Sequence, residues 1–557
     1  MLKNYILGIT FLLINSQFLF SQEKLSENQK LEQLCKIWGF LKYYHPQVTT
    51  GAFDWDAQLI SKIQESEKID TKKQFNALLS TWIDQLGEVK KCKTCKENSD
   101  KKYFLKNFDL SWTDDKNTFS TDVINKLNYI ENNRNQAENH YYIFDNKLEK
   151  IGIQNEKYTT DLYPSKELRL VELFRYWNLI EYFFPYKYQT DQKWNSVLSE
   201  MIPKFINASN EKDYALATLE LLAKTDDSHV VLKSSDLVKY LFGKRTLSIE
   251  VISAENKLVV SKVLDRKSGG DYALQADDVI LEINGESIPD LVKKYSKYTS
   301  ASNTWGKLRS IKNLVLWSNN PSLNLKIERK GIVQNIDAKT YVISDIIYYK
   351  KNEGEKWRFL DEAQKIGYVN IGAVEVADVE DIFKSLKDTK AIVFDVRNYP
   401  KGTIRAIAAQ LLPEVTQYYT WMKPDLQYPG KFYEDKAFIG TKNPNNYKGK
   451  VIALVNEITQ SQAETLTMML KQHPTCTVIG SNTSGANGNV VRLKMLNAET
   501  QYSGLGAFYP DGRETQRISI VPDIEVKPSV KGILDKRDEV LEKAISIIEG
   551  TNATALK

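Results

Sequence analysis

The chain has 557 residues, 42% of them hydrophobic and 26% charged, which is the composition of an ordinary globular protein. A single hydrophobic core does not grow to this length, so we expect three or four domains. The 76 basic and 71 acidic residues nearly cancel. This balance excludes the strong positive charge of a typical nucleic-acid-binding protein, and we expect no nucleic-acid partner.

The first 21 residues have the pattern of a secretory signal peptide. Lys3 precedes an apolar stretch at residues 5–20, and the small Ser21 follows it. A retained membrane anchor is the alternative, but the polar residues 15–17 interrupt a segment that is already short for a bilayer. We therefore expect an exported protein, periplasmic or extracellular, with no stable membrane span after the signal is cleaved.

A helical unit is duplicated in the N-terminal region. CKIWGFLKYYHP at residues 35–46 is repeated as FRYWNLIEYFFP at residues 174–185, and the same spacing relates Trp55 to Trp194. A constant offset with helix-spaced apolar residues indicates two copies, which we place at residues 22–95 and 164–240. The polar connection between them, residues 96–163, carries no readable function. Cys92 and Cys95, at the end of copy one, predict a small loop disulfide, because no second ligand pair completes a zinc site.

The two copies differ at their ends. Copy two ends in LAKTDDSHVVL, which contains Ser228 and His229, whereas copy one has Lys90 at the position equivalent to His229. Only four histidines occur in the chain, so we treat His229 as a candidate general base. The alternative is a loop histidine that bonds to a neighbour.

Short strands follow at residues 241–340. The segment LQADDVILEINGESI at residues 274–288 resembles the PDZ family in its leucine, acidic turn, apolar strand and Asn-Gly turn. The resemblance implies a β-rich domain that takes peptide termini by adding a strand, with residues 245–251 as the receiving loop and strand. The alternative is a spacer or lid without a ligand of its own.

Strands and helices alternate over residues 341–550, and the near-continuous apolar strands predict a parallel sheet covered by helices. Ligands of such sheets lie at the carboxyl ends of strands. Ser461 follows one strand end, where a helix begins, and residues 397–402 follow another. Ser461 is therefore a candidate nucleophile near unpaired backbone amides, although a serine at this position is also a common helix cap.

Five segments of this region together resemble the S41 peptidases, the C-terminal processing and tricorn-core group. They are KIGYVNI (365–371), FDVRNYPKG (394–402), VNEITQSQAE (455–464), VIGSNTSG (478–485) and PDGRETQRISIVPDIEV (510–526). The resemblance spans roughly residue 165 to the C-terminus and implies a ClpP/crotonase-like peptidase domain. It makes Ser461 the nucleophile and the amide of Gln462 one oxyanion donor. The second donor falls on Gly402 or Lys401, where the family usually has two glycines.

The resemblance also distinguishes two catalytic bases. The C-terminal processing branch has a lysine 25 positions after the serine, where this chain has Ala486. The tricorn-like branch has a histidine that matches His229 and a neighbouring serine that matches Ser228. Its glutamate aligns best with Gln516, and Glu514 lies two residues earlier on the same side of an extended chain. Glu464 is expected to balance the dipole of the helix that follows Ser461.

These features together predict an exported serine peptidase, with a duplicated helical region, a PDZ-like domain and an α/β peptidase domain. Its partners would be polypeptides, including those recognised by a free C-terminus. Neither a cofactor nor a metal is expected, because the chain has no glycine-rich phosphate loop after a strand and no histidine pair at metal spacing. The alternative is a catalytically inactive peptide-binding scaffold on a peptidase fold.

Overall fold

The structure is a computed structural model, and it describes residues 24–95, 100–146, 150–233, 235–269, 273–348, 354–496 and 498–550. The predicted signal peptide at residues 1–21 lies outside these ranges. A search of the described helices finds none long and apolar enough to cross a membrane.

The helices are α1 (Glu27–Tyr44), α2 (Trp55–Glu67), α3 (Lys72–Gln85), α4 (Thr121–Asn132), α5 (Lys166–Phe183), α6 (Trp194–Asn207), α7 (Glu211–Ala223), α8 (Ser235–Phe242), α9 (Ile288–Ser296), α10 (Thr304–Leu314), α11 (Val379–Leu386), α12 (Ile404–Leu411), α13 (Gln462–Leu470), α14 (Val530–Leu534) and α15 (Glu539–Glu549). The strands before the C-terminal region are β1 (Tyr103–Phe104), β2 (Tyr142–Asp145), β3 (Lys150–Ile153), β4 (Arg245–Thr246), β5 (Ile249–Ala254), β6 (Lys257–Val263), β7 (Val279–Ile283), β8 (Glu286–Ser287), β9 (Trp317–Ser318), β10 (Ser322–Arg329), β11 (Ile332–Lys339) and β12 (Tyr341–Val342). The later strands are β13 (Trp357–Phe359), β14 (Ile366–Asn370), β15 (Ala391–Asp395), β16 (Thr416–Pro424), β17 (Phe432–Ile439), β18 (Lys450–Val455), β19 (Cys476–Gly480), β20 (Val490–Met495), β21 (Ala498–Ser503), β22 (Gly506–Phe508) and β23 (Ile524–Glu525).

The two helical copies adopt the same local arrangement. The indole N–H of Trp38 donates to the carbonyl of Trp55 at 3.0 Å, and Trp55 returns the bond to Trp38 at 3.1 Å. Trp177 and Trp194 exchange the same pair of bonds, each at 3.0 Å. Each pair joins the first long helix of its copy to the start of the next helix, so the repeated tryptophans fix the angle between the helices. All four indoles lie in one continuous core.

The strands of residues 241–340 form a sheet in the order β11-β10-β7-β6-β5. Strands β10 and β11 form a hairpin around Gly331 and are paired in antiparallel register along their full length. In this sheet β5 is an edge strand, and α10 packs next to it. The assignment of this region to the PDZ family stays a prediction.

The C-terminal sheet has the order β13-β14-β15-β18-β19-β23. All neighbours from β14 to β23 are parallel, which confirms the predicted parallel sheet, and β13 adds one antiparallel edge. Every residue of β15 is buried, as expected of a strand covered on both faces. Helices α11 to α13 cover one face and α15 the other.

A second, antiparallel sheet of order β1-β17-β16-β22 links the polar connection of the N-terminal region to the C-terminal region. The long hairpin of β16 and β17 was not among the predicted elements. Strands β20 and β21 form a further antiparallel hairpin, which ends at Ser503. Cys92 and Cys95 form a disulfide.

Candidate active site

Ser461 lies in a strained turn between β18 and α13. Its backbone has φ 58° and ψ −120°, a region that only glycine adopts without cost. Helix caps normally have extended, negative-φ backbone, so capping alone does not account for this conformation. A non-glycine residue held there costs on the order of 1–3 kcal/mol, and such strain concentrates at functional sites. The turn presents the serine side chain at the carboxyl end of a central strand.

The buried carboxylate of Glu464 holds this turn in place. One oxygen, Oε2, accepts the N–H of Ser461 at 3.0 Å and the N–H of Ala486 at 3.1 Å. The other accepts the N–H of Gly485 at 2.9 Å and bonds to the hydroxyl of Thr483. The carbonyl of Ala486 also accepts the N–H of Ser461 at 2.9 Å. Glu464 therefore binds the serine turn to the loop at 483–486, beyond the dipole role expected from the sequence.

The ionisation of Glu464 is unusual. Burial raises its pKa to about 7, and the hydrogen bonds from Thr483 and from three backbone amides lower it only in part. The carboxyl group is therefore partly protonated at neutral pH.

His229 is buried and is bonded on one side only. Its Nδ1 lies 2.8 Å from Oγ of Ser503, and that hydroxyl lies 3.1 Å from Oδ1 of Asp227. A hydroxyl carries one proton, and the carboxylate can only accept it. Ser503 therefore donates to Asp227 and accepts from Nδ1–H of His229. Nε2 is then the unprotonated nitrogen, and it is buried without a hydrogen-bond partner among the described residues.

Asp227 collects donors from three segments. Its carboxylate accepts from the N–H of His229 at 3.1 Å, from the N–H of Ser503 at 2.6 Å and from Nε2 of Gln516 at 3.3 Å. Gln516 therefore touches the acid that orients His229. Glu514 lies elsewhere, bonded to Lys106 at 3.2 Å and to Gln189 at 2.6 Å.

Ser228 joins the histidine loop to the serine loop. Its hydroxyl donates to the carbonyl of Ser484 at 2.9 Å and accepts the N–H of Ser302 at 2.9 Å. Its carbonyl accepts Nε2 of Gln460 at 3.1 Å, and Gln460 is the residue directly before Ser461. The structure thus brings Ser228, His229, Gln516 and Ser461 into one neighbourhood, although no hydrogen bond joins Nε2 of His229 to Ser461.

The two backbone segments that follow the carboxyl ends of the neighbouring strands β15 and β18 carry free amides. The N–H groups of Gln462, Lys401 and Gly402 are not taken up by any hydrogen bond within the described ranges. Gly402 has φ 76°, so the glycine occupies the left-handed position of its turn and the lysine does not have to. The side chain of Lys401 turns away to Glu375 at 2.6 Å.

Burial is the largest influence on the pKa of His229. It lowers the pKa of His229 below the usual 6.5, while the Asp227 carboxylate raises that pKa and the positive charge of Arg309 lowers it. The imidazole is therefore neutral at pH 7, the state in which it can accept a proton.

Over the part of the chain that the structure describes, no group of three or more His, Cys, Asp or Glu residues could hold a metal ion.

Sequence reasoning did not assign Asp227 or Ser503 to the site. Asp227 had a local signal, because it stands two residues before His229 in DDSH. Ser503 had none, because it reaches Nδ1 from the end of β21, 274 residues away in the chain.

Comparison with known proteins agrees with this geometry. The family model of peptidase family S41 matches residues 365–526, which include Ser461 and the strands around it. Within this region the chain carries a domain of peptidase family S41. Through this region it is a serine-type peptidase, a hydrolase. A search of curated proteins finds no sequence match.

Structures of CPAF share the fold at low sequence identity. Mature CPAF complexed with lactacystin is 12% identical with a TM-score of 0.55, and the match covers 69% of this chain and 99% of that chain. A second structure of mature CPAF gives 12% identity and a TM-score of 0.54, over 70% and 99% of the two chains. A peptidase described as putative, from Parabacteroides merdae, is 14% identical with a TM-score of 0.44, over 71% and 100%.

Proposed function

We propose that the chain hydrolyses peptide bonds through an acyl-enzyme on Ser461, with His229 as the general base. The observation that carries the proposal is Nε2 of His229, which is buried, unprotonated and without a partner beside the loop of a strained serine. An orphaned buried nitrogen is costly, so it calls for a partner that the resting structure lacks. A serine hydroxyl drawn in by bound substrate supplies that partner, since catalytic hydrogen bonds are often long before substrate binds.

The reaction then follows from the geometry. Oγ of Ser461 attacks the peptide carbonyl carbon as Nε2 of His229 takes the hydroxyl proton. The amide of Gln462, with that of Gly402 or Lys401, donates to the oxyanion. Collapse of the intermediate breaks the C–N bond, and the imidazolium returns its proton to the leaving amine. Water, deprotonated by the same nitrogen, hydrolyses the ester and restores Ser461.

Asp227 and Ser503 act as positioning residues in this scheme. The carboxylate fixes the direction of the Ser503 hydroxyl, and the hydroxyl fixes the Nδ1–H tautomer of His229. The carboxylate also stabilises the imidazolium, because Oδ1 lies 3.8 Å from Nδ1. Ser228 keeps the two loops together, and Glu514 has no part in the chemistry.

We also propose that the protein is exported and that the PDZ-like sheet delivers peptides to the site. The disulfide of Cys92 and Cys95 supports an oxidising compartment. The edge strand β5 offers unpaired backbone for strand addition, and α10 connects its surroundings to Ser228.

Labelling with a fluorophosphonate probe tests the proposed nucleophile. We expect the mature wild type to be labelled, and the Ser461→Ala and His229→Ala variants to remain unlabelled while keeping the wild-type melting temperature. Ser519→Ala is the matched control, because Ser519 is a buried serine of the same region whose hydroxyl has no partner. Folded wild type that resists labelling, with and without added peptides, would favour the peptide-binding scaffold.

The pH dependence of hydrolysis follows from the pKa of His229. The base must be neutral, so activity is lost as the pH falls through its pKa. Because burial lowers that pKa, we expect kcat/KM to reach half its maximum at a pH below 6.5. Arg309→Gln should move this midpoint upward, since the arginine charge lowers the same pKa. A midpoint above pH 7 in the wild type would contradict the assignment.

A further inference from the structure

Arg309 on α10 lowers the pKa of His229 by its charge but takes part in no step of the proposed mechanism. It is half-buried, so solvent still reaches part of the side chain. Within the described ranges no hydrogen bond, ion pair or ring contact involves its guanidinium. Arginines removed from water normally pair with a carboxylate or a ring, because an unpaired cation loses hydration without compensation. The missing partner therefore needs an explanation.

The neighbours of Arg309 on α10 show which way this face of the helix points. A Cβ at Gly306 would lie 2.5 Å from Oγ of Ser228, so the helix backbone lies directly against the residue before His229. Nζ of Lys312 pairs with Glu457 at 3.2 Å, in the turn that leads to Ser461. Residues three apart share a helix face. Arg309 stands midway between Gly306 and Lys312, between the histidine loop and the serine loop.

The electrostatics agree with this placement. The charge of Arg309 lowers the pKa of His229. Burial lowers the pKa of Arg309 itself, against the attraction of Glu464 and Glu457. Both carboxylates have other partners, Glu464 in the serine turn and Glu457 on Lys312. The guanidinium is therefore a cation beside the site whose partner is not supplied by the described chain.

We propose that Arg309 binds a carboxylate of the peptide substrate next to the scissile bond and so selects acidic or C-terminal sequences. The planar guanidinium fork matches a carboxylate with two parallel hydrogen bonds. A peptide offers this group as an Asp or Glu side chain or as its C-terminus. The inference rests on the proposed function only for the position of the scissile bond.

Peptide binding to the Ser461→Ala protein tests the proposal without any turnover. The probes are fluorescein-labelled degenerate octapeptides in four matched forms: one fixed Glu or the same position as Gln, and a free C-terminal acid or its amide. We expect anisotropy to show about tenfold to hundredfold tighter binding of one carboxylate form over its neutral match, as for a charge-assisted hydrogen bond. The form that shows the preference identifies the source of the carboxylate.

Variants distinguish the effect of Arg309 itself from the effect of removing any nearby positive charge. In the Ser461→Ala background, the affinities of Arg309→Gln for the acidic and neutral peptides should lie within threefold of each other. Arg309→Glu should bind the acidic peptide more weakly than the neutral one. Lys307→Gln is the matched control, because two residues along a helix place Lys307 on the opposite face of α10. Since no described contact is broken, we expect Arg309→Gln to melt as the parent does.

Failure of this inference is distinguishable from failure of the proposed function. An equal affinity for acidic and neutral forms in the Arg309-containing protein overturns the inference, as does a preference that survives Arg309→Gln. Fluorophosphonate labelling of Arg309→Gln at pH 8 reports on Ser461 alone, because the probe carries no carboxylate. Wild-type labelling in that variant, with loss of the binding preference, supports a substrate-binding role. Loss of labelling would instead give Arg309 a structural role and contradict the proposal.

Discussion

Replacing Asp227 with asparagine is expected to lower kcat about 10⁴-fold, the size of effect seen when a catalytic histidine takes the wrong tautomer. Oδ1 of Asp227 accepts from Ser503, and the side-chain amide of asparagine cannot accept at both of its ends. The Ser503 hydroxyl is then free to donate to Nδ1 of His229. The ring proton moves to Nε2, which then cannot take the hydroxyl proton of Ser461 in the proposed reaction. Steady-state kinetics and the rate of fluorophosphonate labelling both measure this loss.

Two variants make the test specific. Ser503→Ala keeps the Asp227 charge but removes the link to Nδ1, so it should also lose activity, by a smaller factor. Asp226→Asn is the matched control, because Asp226 bonds to Asp191 and Arg517 and not to the histidine. Asparagine tolerates its φ of 49°. An Asp227→Asn protein with wild-type kcat would show that Ser503 and Asp227 do not set the tautomer.

The parallel sheet could be predicted from the sequence because its strands are buried on both faces and read as unbroken apolar runs. The same pattern predicts that Ser461 lies at a strand-to-helix junction, and the structure has it between β18 and α13. The hairpin of β16 and β17 was not predicted, since its burial alternates irregularly and a bulge shifts its register between Gln417 and Tyr419. Local periodicity carries no signal for such a pair.

The hydrogen-bond partners of His229 could not be predicted from the local sequence. The repeat comparison and the family resemblance single out His229, but its bonding partner comes from a distant hairpin whose position depends on the whole fold. The side chain aligned with the expected glutamate, Gln516, bonds to Asp227 and to Ser302. An amide there can donate to an acid that is already present, so the negative charge beside His229 lies on Asp227.

Glu464 was assigned to the helix dipole because an acidic residue in a first turn is common. Its second role could not be deduced, since the loop at 483–486 meets the serine turn only in the folded chain. The loop at 483–486, which follows β19, therefore fixes the backbone geometry of a serine that precedes it by more than twenty positions. Position 486 illustrates the point, because alanine there contributes its backbone N–H and carbonyl to Glu464 and Ser461.

Replacing Glu464 with glutamine is expected to destabilise the folded protein by about 1–3 kcal/mol and to slow labelling of Ser461. Glutamine keeps the shape, but its NH₂ group must face the amide of Gly485 or those of Ser461 and Ala486, which are themselves donors. A buried donor left unpaired costs about this amount. The strained backbone of Ser461 also loses a bond that holds it.

The difference in unfolding free energy between the wild type and Glu464→Gln should depend on pH, and this dependence is the sharper measurement. Burial raises the pKa of Glu464 from the usual 4.5 to about 7, so its stabilising contribution is full at low pH and is lost as the pH rises through about 7. A shift of this size corresponds to about 3 kcal/mol. Urea unfolding at pH 5 to 8 should therefore show the wild type most favoured over Glu464→Gln at pH 5, with the gap closing towards pH 8. Glu525→Gln, at an exposed carboxylate of the same sheet, should leave the slope unchanged, whereas a gap that widens with pH would mean that Glu464 is buried as the ion.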